Sequence, residues 1–485
     1  MTNDFGCLEH SYDIIIIGAG IGGLTCGCYL AKAGMKVLIV EQHNKPGGCC
    51  TSFKRNGVSF DSSVHLLTCC SNGNKIGIIL DELDLRDKIK FIRRDPTDTV
   101  ITNDYEISFS IDWNKNIETF CTIFPREVNN IRNFFRYINS VSRKNYQKYL
   151  KLGNICFKDM LQNYFNFTDK DLISLISVLL FYSGIPVSEA SALICIFAYK
   201  QLMDGGYYPI GGMQRFSDAF AKRFREYGGR LILYNIVEQI EIENGEVKGI
   251  RLKDNEYVQA KIVISNSDAR HTFFKLVGYE HLSISFLNKI KRLQTAPSLF
   301  TIYLALNRSL LGKYRSNGVI WYFPGGDIDK FYSEVYYGHE PYLKKGMICV
   351  QNPKLDRVLN NNTHDLLYIC SPANYNNHRF WEKNRERIAD ELIERAENIF
   401  HDFSSSIVIK LTSTPNTIEK YTLNYRGATN GWACTPQQVS FPVIKSRTRI
   451  KGLYMVGHWV NQAFGGGVAT VAYMGRNIAN NLLYI

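Results

Sequence analysis

Residues 11 to 41 constrain this chain most, because they run strand, glycine turn, helix, strand and carboxylate without interruption. Residues 12–17 are an apolar, β-branched run of the kind that forms a parallel strand buried on both faces. Gly18-Ala19-Gly20-Ile21-Gly22-Gly23 follows directly and supplies G-x-G-x-x-G at Gly18, Gly20 and Gly23. The three glycines serve, in turn, a tight bend, backbone approach to a pyrophosphate, and close packing of helix on strand. The spacing predicts a helix to about Ala33, stopped by Gly34. Gly23, Gly27 and Ala31 recur every four positions and give that helix one flat face for the sheet. A second strand over residues 37–40 ends at Glu41, where a carboxylate can accept hydrogen bonds from both hydroxyls of an adenosine ribose. The stretch reads as a dinucleotide site, and the chain as an enzyme built around it.

Pro46-Gly47-Gly48 comes a few residues after Glu41, followed by Thr51-Ser52. A glycine pair there suits FAD better than a nicotinamide, because the extended flavin nucleotide needs a second backbone approach past the ribose. No other G-x-G-x-x-G follows a strand, so a separate NAD(P) domain is not expected.

The rest of the composition narrows the class. A chain of 485 residues carries about three domains' worth of sequence, and 45% hydrophobic against 21% charged residues excludes disorder. Residues 1–10 hold no basic region followed by an apolar core, so no signal peptide is expected. The thirteen cysteines include Cys49-Cys50 and Cys69-Cys70 but no C-x-x-C, which predicts buried thiols in a reducing cytosol and no metal site. Net charge is +12, with basic clusters at residues 86–94, 132–151, 289–292 and 445–451. These are either solvated faces or an attraction to an anionic membrane surface, and no nucleic-acid motif accompanies them. Residues 172–186 and 190–199 are apolar but broken by Pro186-Val187-Ser188-Glu189. They are too short to span a bilayer and suit the wall of an apolar cavity or insertion into one leaflet.

The pattern along the chain is discontinuous. Residues 58–61 look like a strand returning to the nucleotide region, and 72–202 read as largely helical and aromatic. A glycine-rich break at 205–212 precedes an amphipathic helix over 213–227. Alternating runs at 230–233, 237–243 and 247–252, with a turn at Asn244-Gly245, are completed into a small sheet by 258–265. Residues 274–418 are mixed, with a polar helix expected over 384–400. A strand over 453–456 is capped by Gly457, and Gly465-Gly466-Gly467 opens a final helix from about Val468. That opening leaves backbone N–H groups bare, suited to the flavin's pyrimidine edge, or else passes tightly over its own helix. The expected division is a discontinuous FAD-binding domain (1–71, 203–273 and 419–485) and a substrate and membrane-facing domain (72–202 and 274–418).

Taken together, residues 13–48, Phe60-Asp61, 180–212, 263–268 and 452–475 resemble the phytoene desaturase family of flavoproteins, which includes carotenoid cis–trans isomerases and retinol saturases. Most diagnostic is Tyr182-Ser183-Gly184-Ile185-Pro186 leading to Tyr208-Pro209-Ile210-Gly211-Gly212-Met213. The resemblance implies an α/β fold: a glutathione-reductase-type, Rossmann-like FAD-binding domain, discontinuous in sequence, with a mixed α+β substrate domain. It also implies FAD and a long apolar polyene or isoprenoid drawn from a membrane by a cytoplasmic, peripheral enzyme. Cys49 stands where members often carry arginine or serine, and His458-Trp459 where related flavoproteins carry an acid. Phe60 to His65 is closer to the saturase pattern. The candidate cofactor-binding set is Gly18, Gly20, Ile21, Gly22, Gly23, Glu41, Gln42, Gly47, Gly48, Cys49, Val237, Gly457, Gly466, Gly467 and Val468. His65 and His458 are the catalytic candidates, as acid–base or substrate-orienting groups; the alternative for each is a packing histidine. The expected chemistry is hydride removal from an allylic C–C bond, with flavin-dependent isomerisation or saturation as alternatives. Amine oxidation and non-enzymatic prenyl carriage fit less well, given the apolar 172–199 segment and the intact glycine turn.

Overall fold

A computed structural model describes residues 8–142, 146–308, 318–337, 348–351, 364–441, 444–460 and 467–484. The N-terminal apolar run forms the strand Ser11–Ile17, with Ile14, Ile15 and Ile16 fully buried. Burial on both faces follows from its neighbours. Val37–Val40 pairs parallel on one side, with Ile14 opposite Val37, and Tyr257–Ser265 pairs parallel on the other. Arg230–Ile232 extends the sheet beyond Val37–Val40, and Leu453–Met455 lies parallel to the second half of Tyr257–Ser265. The first half of that strand pairs instead with Glu246–Leu252, which returns through Asn244-Gly245 to Val237–Glu243. Both turn residues have positive φ, as a tight hairpin requires. The small sheet expected over 230–265 is thus not complete in itself: the hairpin extends the parallel sheet, and Arg230–Ile232 joins that sheet at its other side. Tyr257–Ser265 is nine residues long and serves both the hairpin and the parallel sheet. Helices Ile21–Lys32, Met213–Glu226 and Val468–Leu483 pack beside one another, the first contacting both of the others.

A second seven-stranded sheet runs in the order Ile407–Ser413, Ser298–Leu306, Asp365–Ala373, Ile348–Gln351, Val319–Tyr322, Asp98–Ile101, Glu106–Phe109. Its pairs are antiparallel except Val319–Tyr322 with Asp98–Ile101. Three strands thus fall in the stretch read as helical, namely Phe91–Arg94, Asp98–Ile101 and Glu106–Phe109. At four residues each they are too short to show a period of two; the partner of Phe91–Arg94 is distant in sequence, as is one of the two partners of Asp98–Ile101. The helices of that stretch follow their sequence signals. Val128–Ser140 buries Ile131, Phe134, Phe135 and Ile138 as one stripe, and Asp112 and Asp169 cap Trp113–Ile123 and Lys170–Val178 with their side chains. The polar helix is His378–Ala396, starting earlier than expected because Asn377 caps it at the Phe380 amide.

The apolar segment is interior. Every residue from Leu172 to Val178 is buried, a 3-10 turn Leu179–Ser183 follows, and Ala192–Leu202 lies largely inside. Insertion of this segment into a leaflet is thereby corrected to packing within the chain. Among the described residues, no helix is long and apolar enough to cross a membrane. Residues 58–61 form Val58–Asp61, which pairs with Ser52–Arg55 through the positive-φ turn Asn56-Gly57.

Candidate functional site

A cleft of about 920 Å³ runs from the carboxyl ends of the parallel strands to the face of the second sheet. Its nucleotide end is backbone-walled. Gly18 leaves the first strand at φ 93°, and Gly47 donates its N–H to Ala19 O at 2.8 Å. A Cβ on Gly48 would sit 3.2 Å from Gly20 Cα, so the two glycine turns lie back to back. Asn266, the first residue after the strand Tyr257–Ser265, locks this region. Its Nδ2 donates to Gly18 O at 3.3 Å. A Cβ would lie 2.7 Å from its Nδ2 at Gly20, and 3.0 Å and 2.7 Å from its Oδ1 at Gly22 and Gly457. Asn266 was not among the sequence candidates; its only signal is a polar amide closing an apolar strand.

Glu41 is buried, with Oε2 accepting from the Ala19 amide at 2.7 Å and Oε1 from the His43 amide at 2.9 Å. Each oxygen keeps a lone pair for a ribose hydroxyl. The cradle therefore fits an adenine dinucleotide on its own geometry. Ile21, Gln42, Cys49 and Val237 line the same cleft, as do Gly457, Gly467 and Val468. Gly23 does not; it is where the helix crosses the first strand. Gly466 lies outside the described residues, as does Gly465. In Val468–Leu483 the Thr470 and Val471 amides turn back to Gly467 O, and those of Val468 and Ala469 have no backbone partner among the described residues. Lys75 donates to Thr470 Oγ1 at 3.0 Å and is the sole Lys or Arg among the described lining residues. Replacing Glu41 with Ala should weaken FAD binding by about 1–3 kcal/mol, measured by titrating the deflavinated protein. An unchanged affinity would remove Glu41 from the ribose site.

Both candidate histidines line the cleft. His65 is buried and stacks on Tyr368 at 4.3 Å and 26°, and neither ring nitrogen has a hydrogen-bond partner among the described residues. Burial, and then the Arg94 guanidinium, pushes its pKa down to about 3. His458 lies against Trp459, its Nε2 is likewise unpartnered, and burial lowers it to about 4. Near pH 7 both rings are neutral, offering one donor and one acceptor rather than a ready base.

These shifts give folding stability a pH dependence. The native state resists protonating either ring while the unfolded chain titrates near 6.5, so stability is full above about pH 6.5 and falls as pH drops toward 4. Asp98 works the other way, since burial raises it to about 6 and the native state gains its proton first. From pH 7 to pH 5 the net expected loss is about 2–3 kcal/mol, read from urea midpoints. In His65→Phe that loss should be roughly halved or better.

The far end of the cleft is apolar and aromatic, lined by Phe181, Tyr182, Leu193, Ile194, Phe197 and Trp321. Tyr182 Oη and Trp321 Nε1 both donate to Asp98 Oδ1, at 2.8 Å and 2.7 Å, fixing two rings of the wall. Beside Asp98 is Arg94, read in sequence as part of a basic surface cluster and in fact 1% exposed. Its guanidinium has no hydrogen-bond partner among the described residues, lies 5.1 Å from the centre of the Tyr208 ring, and feels both Asp61 and Asp98. Tyr208 in turn donates to Asp61 Oδ2 at 2.6 Å.

Comparison with known proteins agrees with this geometry. The family described as flavin containing amine oxidoreductase matches residues 21–483. Prolycopene isomerase 2, chloroplastic, from an Oncidium hybrid cultivar is 27% identical over 518 residues, covering 98% of this chain and 84% of its own. The phytoene desaturase (lycopene-forming) of Pantoea ananas is 25% identical over 316 residues, covering 60% of this chain and 63% of its own. Among solved structures, an oxidoreductase from Methanosarcina mazei superposes with a TM-score of 0.70 at 19% identity, covering 96% of this chain and 99% of the other. At that identity the likeness speaks for the fold.

Proposed function

Because this chain belongs to the family of flavin containing amine oxidoreductases and is an FAD-dependent oxidoreductase, we propose that it acts on the C–C and C=C bonds of a long apolar polyene or isoprenoid, as a desaturase does. The observation that carries the substrate class is the chemistry of the cleft wall. Glu41 is the only carboxylate among its described lining residues, and it belongs to the nucleotide end. An ammonium group at the aromatic end would be buried without a counter-charge, at a cost of several kcal/mol. A hydrocarbon meets no such penalty there. The names of the two relatives point the same way, since prolycopene, phytoene and lycopene are polyene hydrocarbons.

In this reading the backbone at Gly18, Gly20 and Gly48, with Glu41, holds the nucleotide, and the aromatic end holds the polyene. When bound, FAD supplies a two-electron centre that accepts or returns hydride. The first turn of Val468–Leu483, with Lys75 beside it, offsets negative charge gained on reduction. His65, and His458 through Nε2, are neutral and without a hydrogen-bond partner among the described residues, and orient the polyene or pass a proton at a ring nitrogen. The division into FAD-binding segments (1–71, 203–273, 419–485) and substrate segments (72–202, 274–418) is part of the proposal. So is uptake from an anionic membrane surface, which the +12 charge favours.

Isomerisation is the second reading, because the prolycopene isomerase aligns with nearly the whole chain and the desaturase with 60% of it. Mixing oxidised enzyme anaerobically with candidate polyenes separates the two. Bleaching of the flavin absorbance together with a newly formed double bond is the expected result. Conversion only after prior reduction of the flavin, without net oxidation, selects isomerisation. Failure of every polyene under both conditions would end the polyene reading.

A further inference from the structure

We propose that Cys349 and Cys370 form a redox-responsive dithiol in the wall of the substrate half of the cleft, closing under peroxide to a cross-strand disulfide that reshapes it. Ile348–Gln351 and Asp365–Ala373 are adjacent antiparallel strands, and Cys349 stands directly opposite Cys370. Trp321 is opposite Cys349 on its other side, so Cys370, Cys349 and Trp321 form one row across the sheet. Residues opposed in an antiparallel pair project to the same face with Cα atoms about 4.5–5.5 Å apart. That separation falls within the ~4.4–6.8 Å that a disulfide spans. All three side chains of the row line the cleft.

Both residues are thiols in this structure and are nearly buried, at 6% and 7% exposure. Burial pushes the Cys370 thiol up to about 11, so at neutral pH it is protonated and its oxidation, which runs through the small thiolate fraction, is slow. In the oxidation, one sulfur attacks the O–O bond of hydrogen peroxide. Hydroxide leaves and takes up the thiol proton as water, and the attacking sulfur becomes a sulfenic acid. The second sulfur then displaces the sulfenic oxygen, which leaves as a second water with that thiol's proton. Two thiols and one peroxide give one disulfide and two waters, with two electrons passing from sulfur to oxygen.

Bond formation draws the sulfurs to about 2.05 Å and fixes the register of the two strands beside Trp321. The indole of Trp321 is tied to Asp98, so a shift in this row is a shift in a wall already anchored on its far side.

The test uses FAD-loaded enzyme treated with hydrogen peroxide, quenched with N-ethylmaleimide, digested without reductant and mapped by mass spectrometry. The expected product is one peptide pair joined through Cys349 and Cys370, absent from Cys349→Ala and from Cys370→Ala. Oxidation of these residues without that link, or a link to other cysteines instead, would overturn the proposal. The consequence for the cleft rests on the polyene reading and is measured with whichever polyene bleaches the flavin. Turnover should fall about tenfold in the oxidised enzyme, return with dithiothreitol, and be spared in Cys349→Ala. A quantitative link with unchanged turnover would overturn the claim that the bond reshapes the cleft. The mapping needs no substrate, so its outcome is independent of the fate of the polyene reading.

Discussion

Gly23→Val should yield a protein that carries almost no flavin. A Cβ at this position would lie 2.5 Å from Gly18 O, a backbone atom of the glycine turn itself, and 3.2 Å from Ile16 Cγ2 in the first strand. Neither can move without separating helix Ile21–Lys32 from strand Ser11–Ile17, and overpacking of this kind costs about 1–3 kcal/mol even before the larger valine is fitted. The same separation opens the backbone groove. The flavin-to-protein ratio after gel filtration should fall close to zero. Gly20→Val should also lose its flavin, because the side chain fills the space of backbone approach to the pyrophosphate, but should disturb the fold less, since its Cβ meets the side-chain amide of Asn266 rather than backbone. Gly34→Ala, with no atom within 4 Å, should keep its flavin and lose only a little stability to its φ of 84°. A normal flavin content in Gly23→Val would refute the packing argument.

The second large effect is expected at Arg94. Its guanidinium is the positive charge shared by two buried carboxylates, Asp61 and Asp98. Arg94→Met removes it while roughly keeping the volume, and leaves both acids with their hydrogen bonds but without a nearby cation. Among the described residues Arg94 makes no ion pair or hydrogen bond with either acid, so the loss should fall short of the ~3–5 kcal/mol typical of breaking a buried salt bridge. Asp98, already raised to about 6, should then hold its proton at neutral pH and weaken its grip on Tyr182 and Trp321. Urea unfolding of the flavin-loaded variant measures the loss, and adding Asp98→Asn should recover part of it. A change below ~0.5 kcal/mol would mean that water or another group compensates the carboxylates without Arg94.

What could be read from the sequence was what is decided locally. The first strand, its glycine turn and Glu41 are neighbours in the chain, so their chemistry is written in order. The Asn244-Gly245 hairpin and the stripe of Val128–Ser140 are equally local. Asp98–Ile101 could not be read, because four residues are too few to show a period of two and one of its two partners, Val319–Tyr322, lies more than two hundred residues away. Arg94 looked like surface because it follows Arg93, yet the strand Phe91–Arg94 turns successive side chains to opposite faces. Asn266 gave no sign of its role, since an asparagine after a strand is ordinarily a turn residue. The two candidate histidines were visible, but not that burial would keep them neutral.

The position of Asn266 sets the order in which this protein can be made. It joins the glycine turn near the N-terminus to Gly457 near the C-terminus from the middle of the chain, and Leu453–Met455 enters the sheet only against the strand that precedes it. During synthesis, domains usually fold from the N-terminus as they emerge. Here the first βαβ unit emerges long before the pieces that wall its groove, and the helix Val468–Leu483 that packs on Ile21–Lys32 comes last. A nascent chain halted before residue 453 would therefore hold the turn and Glu41 but not a finished groove. Flavin capture is then a late event, a check that the chain as far as Val468–Leu483 has been made and brought together.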